Sequence, residues 1–135
     1  MAVFRDTVAV MGYRDVGEYD RIYILFGKKR GLFEVVAKGV RRMTSRKRGH
    51  LRTFNMCAIS YAEGKTRDVL IEAESRFSLD TEGMKTEEFE MASFAGMVVS
   101  KFIARDVPEP ELYDLWGSFV KGQITRHRTI LFVVK

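Results

Sequence analysis

The residues of this sequence with the clearest chemical potential are the cations clustered between positions 28 and 52. This segment holds ten Lys or Arg and one acid, Glu34, so it carries +9 while the whole chain carries +5. Clustered cations attract polyphosphates because contact releases condensed counterions, and a guanidinium can donate two parallel hydrogen bonds to one phosphate. The sequence therefore predicts a polyanion-binding surface formed by Lys28, Lys29, Arg30, Lys38, Arg41, Arg42, Arg46, Lys47, Arg48 and Arg52.

Aromatic residues close to these cations are candidates to stack on unpaired bases. They are Phe26, Phe33, Phe54 and Tyr61. Aromatic residues in strands more often belong to a hydrophobic core, so each one alone is weak support. Phe54 is the best candidate, because its alternate spacing with Arg52 predicts that both face the same side of a strand.

The sequence gives little support for catalysis. Asp15, Glu18 and Asp20 have carboxylates that suit Mg²⁺ in a nuclease-like reaction, but in a short turn such residues are usually only solvated. His50 and His127 are interpreted as a loop residue and a surface residue. We therefore predict no enzyme, no metal and no cofactor.

Composition favours a folded cytosolic protein. With 135 residues and 46% hydrophobic content, the chain suits one compact domain or a small domain with an appendage. Its single cysteine, Cys57, lies in an apolar stretch and is predicted to be buried. No signal-peptide core and no membrane-spanning apolar run is apparent, so we expect no contact with a membrane.

The elements that would position the cations are strands in the first half of the chain. Five apolar stretches rich in β-branched and aromatic residues are separated by polar turns, which predicts a small antiparallel barrel. In the fifth, Val69, Ile71, Ala73 and Phe77 are predicted to share one face. Residues 39–50 lack periodicity and predict a basic loop. The predicted strands cover residues 7–13, 21–26, 32–37, 51–61 and 68–77.

The second half of the chain has helical spacing. A first helix is predicted to begin at Thr86 as N-cap, and a second near Pro110, ending by Gly122. The apolar stripe of the first consists of Met91, Phe94, Ala95, Val98, Val99 and Phe102. That of the second consists of Leu112, Leu115, Trp116, Phe119 and Val120. The final apolar run, Ile130 to Val134, predicts either a segment that packs on the rest or a piece of a longer protein.

A series of short motifs resembles the amino-terminal domain of the RecO family of DNA-repair mediators. The order and spacing carry the resemblance, which spans about a third of the chain. The motifs are Gly17-Glu18-Tyr19-Asp20-Arg21, Arg30-Gly31-Leu32, Val36-Ala37-Lys38-Gly39-Val40-Arg41-Arg42 and Ser45-Arg46, with a weaker likeness through Glu111-Leu112-Tyr113.

The resemblance implies an α+β fold: a five-stranded antiparallel OB-type β-barrel over residues 1–78, followed by a small helical segment over 79–135. It also implies binding of single- and double-stranded DNA, strand annealing and help in loading a recombinase onto DNA. The implied partners are RecR and the acidic tail of the single-strand-binding protein, in the cytoplasm at the nucleoid. Carried over from the motifs are Lys38, Arg41, Arg42 and Arg46 as backbone contacts, with Gly31 and Gly39 as turn positions.

Two features depart from the family. Many members carry a four-cysteine zinc site and a longer helical domain, whereas this chain has one cysteine. Two alternative functions stay open from the residues alone. One is an RNA-binding or ribosome-associated OB protein, and the other is an adaptor that docks an acidic peptide of a partner protein.

Overall fold

All five strands lie in the first part of the chain, interrupted only by one short helix among the described residues, and two longer helices follow. The computed structural model describes residues 2–79 and 83–125. Within these ranges, the five strands are β1 (Val3–Val16), β2 (Asp20–Gly27), β3 (Gly31–Ala37), β4 (Met56–Ala62) and β5 (Asp68–Phe77). The helices there are α1 (Lys47–His50), α2 (Thr86–Phe102) and α3 (Pro110–Thr125). None of these helices is long and apolar enough to cross a bilayer.

The strands close into a barrel in the order β1-β2-β3-β5-β4. β1 is long because its first half pairs with β4 and its second half with β2, and a register shift between Val10 and Gly12 bends it between the two. This closed five-stranded arrangement is the OB-fold, so the predicted fold is confirmed. The barrel is not wholly antiparallel as predicted, because β3 and β5 pair in parallel at Val35 and Val36.

The barrel interior is one hydrophobic cluster supplied by alternate residues of all five strands. Among its members, Tyr23, Leu25 and Val35 are fully buried. Two further members, Val40 and Leu51, come from the connection between β3 and β4 rather than from a strand. That connection is therefore part of the core at the end of the barrel where β3 finishes.

β5 shows where the predicted alternation is wrong. Leu70 is buried in the barrel interior and Ile71 is exposed, the reverse of the expected face for Ile71. The register against β4 shifts between Ser60 and Tyr61, so Tyr61 pairs with Leu70. A bulge changes which residues point inward from that position on, and an alternating sequence pattern does not reveal it.

A second hydrophobic cluster lies between the outer face of the barrel and helices α2 and α3. The buried residues of α2 are Ala92 and Gly96. The Trp116 ring of α3 lies close to the backbone at Gly96. The predicted stripe is only partly correct, because Phe94 is 59% exposed and Phe102 is 84% exposed. Small residues occupy this face of α2 because they leave room for the Trp116 indole to pack against the helix.

The helix ends also differ in detail from expectation. Lys85 is the N-cap of α2 and Thr86 is its first helical residue, so the predicted cap is wrong by one position. Glu87 and Glu88 do lie in the first turn, where acids complement the helix dipole. On α3, Gly122 lies inside the helix, and Leu115 is exposed. The apolar run Ile130 to Val134 lies outside the described residues.

The turn between β2 and β3 is fastened to β1 by a buried carboxylate. Asp6 accepts hydrogen bonds from the backbone N–H groups of Lys29 at 3.0 Å and Arg30 at 3.1 Å. Gly31 follows with φ +86°, a conformation that suits glycine, and a side chain there would collide with Val107. Gly31, predicted as a turn position, thus closes the turn as the first residue of β3, one residue beyond the turn itself.

A second acid, Glu34 on β3, gathers three arginines from distant parts of the chain. Its carboxylate accepts hydrogen bonds from Arg14 at 3.1 Å, Arg67 at 3.2 Å and Arg105 at 2.9 Å. The Arg14 hydrogen bond is the main cause that lowers the pKa of Glu34, and Arg105 adds to it, while burial opposes the shift. Glu34 thus joins β1, the turn before β5 and the segment after α2.

Glu34→Gln is expected to lower the free energy of unfolding at pH 7 by about 1 kcal/mol, because the three arginines are partly exposed and solvent screens each pair. The wild-type contribution is present above the unfolded-state pKa of about 4.3, and it is lost as the pH falls through the lower folded-state pKa. Urea unfolding at pH 7 and at about pH 3 measures both values. The difference between variant and wild type should shrink at the lower pH.

Glu72→Gln is the matched control, since it removes an exposed carboxylate from β5. A Glu34→Gln difference as large at low pH as at neutral pH would contradict this account.

Candidate nucleic-acid interface

The basic segment between β3 and β4 closes one end of the barrel, which we call the barrel mouth. Its backbone is anchored to the turn after β1: the Gly39 N–H donates to Asp20 Oδ1 at 2.7 Å, and the Arg41 N–H donates to the Tyr19 carbonyl at 2.9 Å. Gly39 has φ +67°, which confirms it as a turn position. With Val40 buried inside the barrel, these bonds hold the start of the segment in place.

Arg41 serves as a brace within the protein. Its guanidinium donates to the carbonyls of Gly17 at 2.8 Å and Glu18 at 2.7 Å, and it lies 3.5 Å from Asp15. These bonds use the donors that a phosphate would need. We therefore correct the expectation for Arg41: it positions the segment and is not a free phosphate contact.

His50 fastens the far end of the segment. Its Nδ1 accepts the Ser75 N–H at 2.9 Å, and its carbonyl accepts hydrogen bonds from the Asn55 side chain at 3.1 Å and the Cys57 thiol at 2.9 Å. Burial raises the pKa of Cys57 to about 12, so the thiol keeps its proton and can donate it. Cys57 is buried as predicted. His50 was predicted as a loop residue, but it is the last residue of the short helix α1, which it links to β5.

Six cations of the segment remain available at the surface, and we call them the mouth cations. Within residues 2–79 and 83–125, none of them has an ion pair with an acid. The guanidinium of Arg42 lies over the ring of Tyr19 at 4.2 Å from its centroid. The mouth cations are Lys38, Arg42, Arg46, Lys47, Arg48 and Arg52.

The other three predicted cations do not join this group. Lys28, Lys29 and Arg30 form the turn before β3, and the seven residues of that strand separate them from the mouth by about 20 Å. Lys28 pairs with Asp114 at 3.3 Å. The predicted single surface is therefore divided between the two ends of the barrel.

Arg30 is also neutralised where it lies. It pairs with Asp68 and with Asp106, at 2.6 Å for the latter, and its guanidinium lies 4.4 Å from the centroid of Phe33. Burial by itself would lower the pKa of Arg30, but the hydrogen bonds to the two acids outweigh it and raise the pKa. We therefore withdraw Arg30 as a phosphate contact.

Phe54 is not available to stack on a base. It is 2% exposed and belongs to the cluster between the barrel and the helices, where it contacts Phe89 and Trp116. The backbone at Phe54 has φ +74°, which breaks the strand alternation that placed it beside Arg52. The prediction for Phe54 is wrong for this reason.

Two of the three acids that were considered for a metal, Asp15 and Asp20, have structural partners. Asp15 accepts a hydrogen bond from Arg21 Nε at 2.6 Å, and this bond is the main cause that lowers the pKa of Asp15. Asp20 accepts the Gly39 N–H, as described above. Within the described ranges, no group of three metal-ligating side chains is present. Asp15 and Asp20 thus help to hold the mouth together.

Two tyrosines at the mouth were not predicted to contribute. Tyr13 and Tyr19 lie near the end of the β1–β2 hairpin and are partly exposed. A guanidinium stacks on each ring: that of Arg21 lies 4.1 Å from the centroid of Tyr13, and that of Arg42 lies over Tyr19. They precede the basic segment in sequence, so a search restricted to that segment misses them. Aromatic residues beside glycine and arginine at a hairpin end are the signal that could have found them.

Comparisons with known proteins concern the barrel most directly. A family model described as "Recombination protein O N terminal" matches residues 1–78. A protein of Nocardioides sp. (strain ATCC BAA-499 / JS614) named "DNA repair protein RecO" is 40% identical over 73 residues, which is 54% of this chain and 30% of that protein. A protein of the same name from Bifidobacterium adolescentis is 41% identical over 75 residues, covering 56% of this chain and 30% of that protein.

One relative extends into the helices. The "DNA repair protein RecO" of Pelotomaculum thermopropionicum is 26% identical over 115 residues, which is 85% of this chain and 45% of that protein. The chain matches about a third of the length of the curated relatives that resemble its barrel.

His50→Ala is expected to loosen the mouth segment and to lower the free energy of unfolding by about 1 to 2 kcal/mol, because the Ser75 N–H loses its acceptor. Amide hydrogen exchange should rise in residues 39–50 more than in β2 or β3. His50→Asn is the control, since its side-chain oxygen can accept the same N–H. Unchanged exchange in His50→Ala would show that this bond does not hold the segment.

Proposed function

This chain belongs to the RecO family, and on that premise we propose that it binds DNA in recombinational repair through the mouth cations. The observation that carries the proposal is that six cations lie on one anchored segment without acidic partners in the described part of the chain. An anchored segment loses little further conformational freedom when it binds. The curated relatives are named DNA repair proteins, which supports the same assignment.

The proposed contact is with the sugar-phosphate backbone. Arg42, Arg46, Arg48 and Arg52 can each donate paired hydrogen bonds to phosphate oxygens, while Lys38 and Lys47 add charge. Backbone contacts of this kind carry no base sequence, so binding to single- and double-stranded DNA of any sequence is proposed. The proposed function contains no catalytic step.

Further functions are proposed from membership of the family. They are annealing of complementary strands and help in loading a recombinase, with RecR and the single-strand-binding protein as partners. The proposed location is the cytoplasm at the nucleoid. Residues 1–78 would supply the DNA-binding domain, and the helical segment after them would support it by packing on the barrel through the second hydrophobic cluster.

If five phosphates of a single strand are engaged, log affinity should fall against log salt with a slope of about −3.5. Replacing Lys38, Arg42 and Arg46 by Ala removes three of those contacts, so the slope should become about −1.4. Fluorescence anisotropy of a labelled oligonucleotide between about 50 and 200 mM salt measures both slopes.

The control variant replaces Lys29, Lys65 and Lys101 by Ala, which removes the same net charge from exposed positions outside the mouth. Its slope should match the wild type. Equal slopes in all three proteins would overturn the mouth assignment. RNA of equal length bound more tightly than DNA would favour an RNA-binding protein, and an acidic peptide bound at high salt without DNA affinity would favour an adaptor.

A further inference from the structure

A recess lies at the barrel mouth between the β1–β2 hairpin, the residues just before Phe54 and the first turn of α2. Its volume is about 250 Å³, and its walls include Tyr13, Arg21, Arg48, Arg52 and Phe89. Ligand pockets for drug-sized molecules usually exceed about 300 Å³, so this recess suits a smaller group. Its walls combine aromatic rings with three guanidinium groups.

One wall of the recess is a prepared stacking surface. The guanidinium of Arg21 lies 4.1 Å from the centroid of the Tyr13 ring, and its Nε donates to Asp15 at 2.6 Å. The Tyr13 ring packs against the Tyr23 ring with centroids 5.8 Å apart, while the Tyr13 side of this contact remains 46% exposed to solvent. Contacts on several sides fix both planar groups before any ligand arrives, which lowers the entropy lost on binding.

The charge of the recess favours an anion-bearing ligand. Among the described residues that line it, three are arginines and none is acidic. The Tyr23 hydroxyl is buried behind Tyr13. Burial raises its pKa, and a hydrogen bond with Arg21 opposes that shift, so the hydroxyl stays uncharged and adds no negative charge beside the arginines.

We propose that the recess holds one unstacked nucleobase of a single strand against the Tyr13 and Arg21 pair, with the flanking phosphates on Arg48 and Arg52. A planar base suits the aromatic and guanidinium surfaces, and the phosphates on either side of it suit the two remaining arginines. A simple phosphate would leave the aromatic walls unused. An acidic side chain of a partner protein would do the same.

This inference rests on the proposed DNA binding and adds a preference to it. A base held in a duplex is paired and stacked, so it reaches the recess only after it is flipped out, which costs the energy of unpairing and unstacking. The mouth cations outside the recess contact phosphates of either form. The recess therefore makes the chain prefer single strands while it still binds duplexes.

The test compares two single-stranded oligonucleotides of equal length and charge, one of thymidines and one with abasic sites throughout. The wild type should bind the thymidine strand roughly five- to 150-fold more tightly, because a stacked base contributes about 1–3 kcal/mol. In Tyr13→Ala this ratio should fall towards one. Tyr13→Phe should keep most of it, since the ring is retained.

Two further variants guard the interpretation. Tyr13→Leu keeps an apolar group on Tyr23, so the fold is retained while the ring is lost, and its ratio should also fall. Phe102→Ala removes an exposed aromatic residue from the end of α2, far along the chain from the recess, and its ratio should equal the wild type. Circular dichroism of each variant confirms folding.

A strand containing 5-iodouracil gives a second readout that does not depend on affinity. After ultraviolet irradiation, the crosslinked peptide should contain Tyr13. A crosslink confined to another part of the chain, or an equal ratio in wild type and Tyr13→Ala, would overturn the recess inference while the DNA-binding function stood. Failure of both oligonucleotides to bind would overturn the function itself. An acidic peptide that displaced the thymidine strand only from the wild type would also count against a base site.

Discussion

The anchoring of the segment between β3 and β4 is the constraint on which the rest of the mouth depends. Cations placed this densely repel one another, so the segment needs fixed attachments to hold one conformation. Those attachments are backbone bonds to Asp20 and Tyr19, the His50 bond to β5, and the buried side chains of Val40 and Leu51. Because they are mostly uncharged, they hold the segment without neutralising the cations that it displays.

The same end of the barrel divides its charged groups between two roles. Arg41 lies against the hairpin, where it donates to the turn carbonyls and lies 3.5 Å from Asp15, whereas Arg42 is exposed to solvent. Under the proposed function, a phosphate strand would meet only the second set. This barrel can therefore carry a high local charge, since the acids at the mouth pair with the hairpin and with the backbone of the segment and leave the mouth cations without acidic partners in the described residues.

The helices contribute to this end of the molecule through packing. Phe54 links the segment to Trp116 and Phe89, so the first turn of α2 becomes one wall of the recess. The small face of α2 at Ala92 and Gly96 lets α3 approach closely enough for that contact. The position of an aromatic wall at the mouth is thus a consequence of how the helical segment packs on the barrel.

Sequence alone determined the features that depend on local composition: five strands, two amphipathic helices, a buried cysteine and a strong excess of cations between positions 28 and 52. Tertiary structure alone decided which cations are free, because the acids that occupy Arg30 and Arg41 come from positions distant in sequence. It also decided that Phe54 is buried and that Ile71 faces outward, since a positive φ and a bulge reverse the alternation. Side-chain facing and charge pairing are set by register and packing between elements, and no local pattern carries that information.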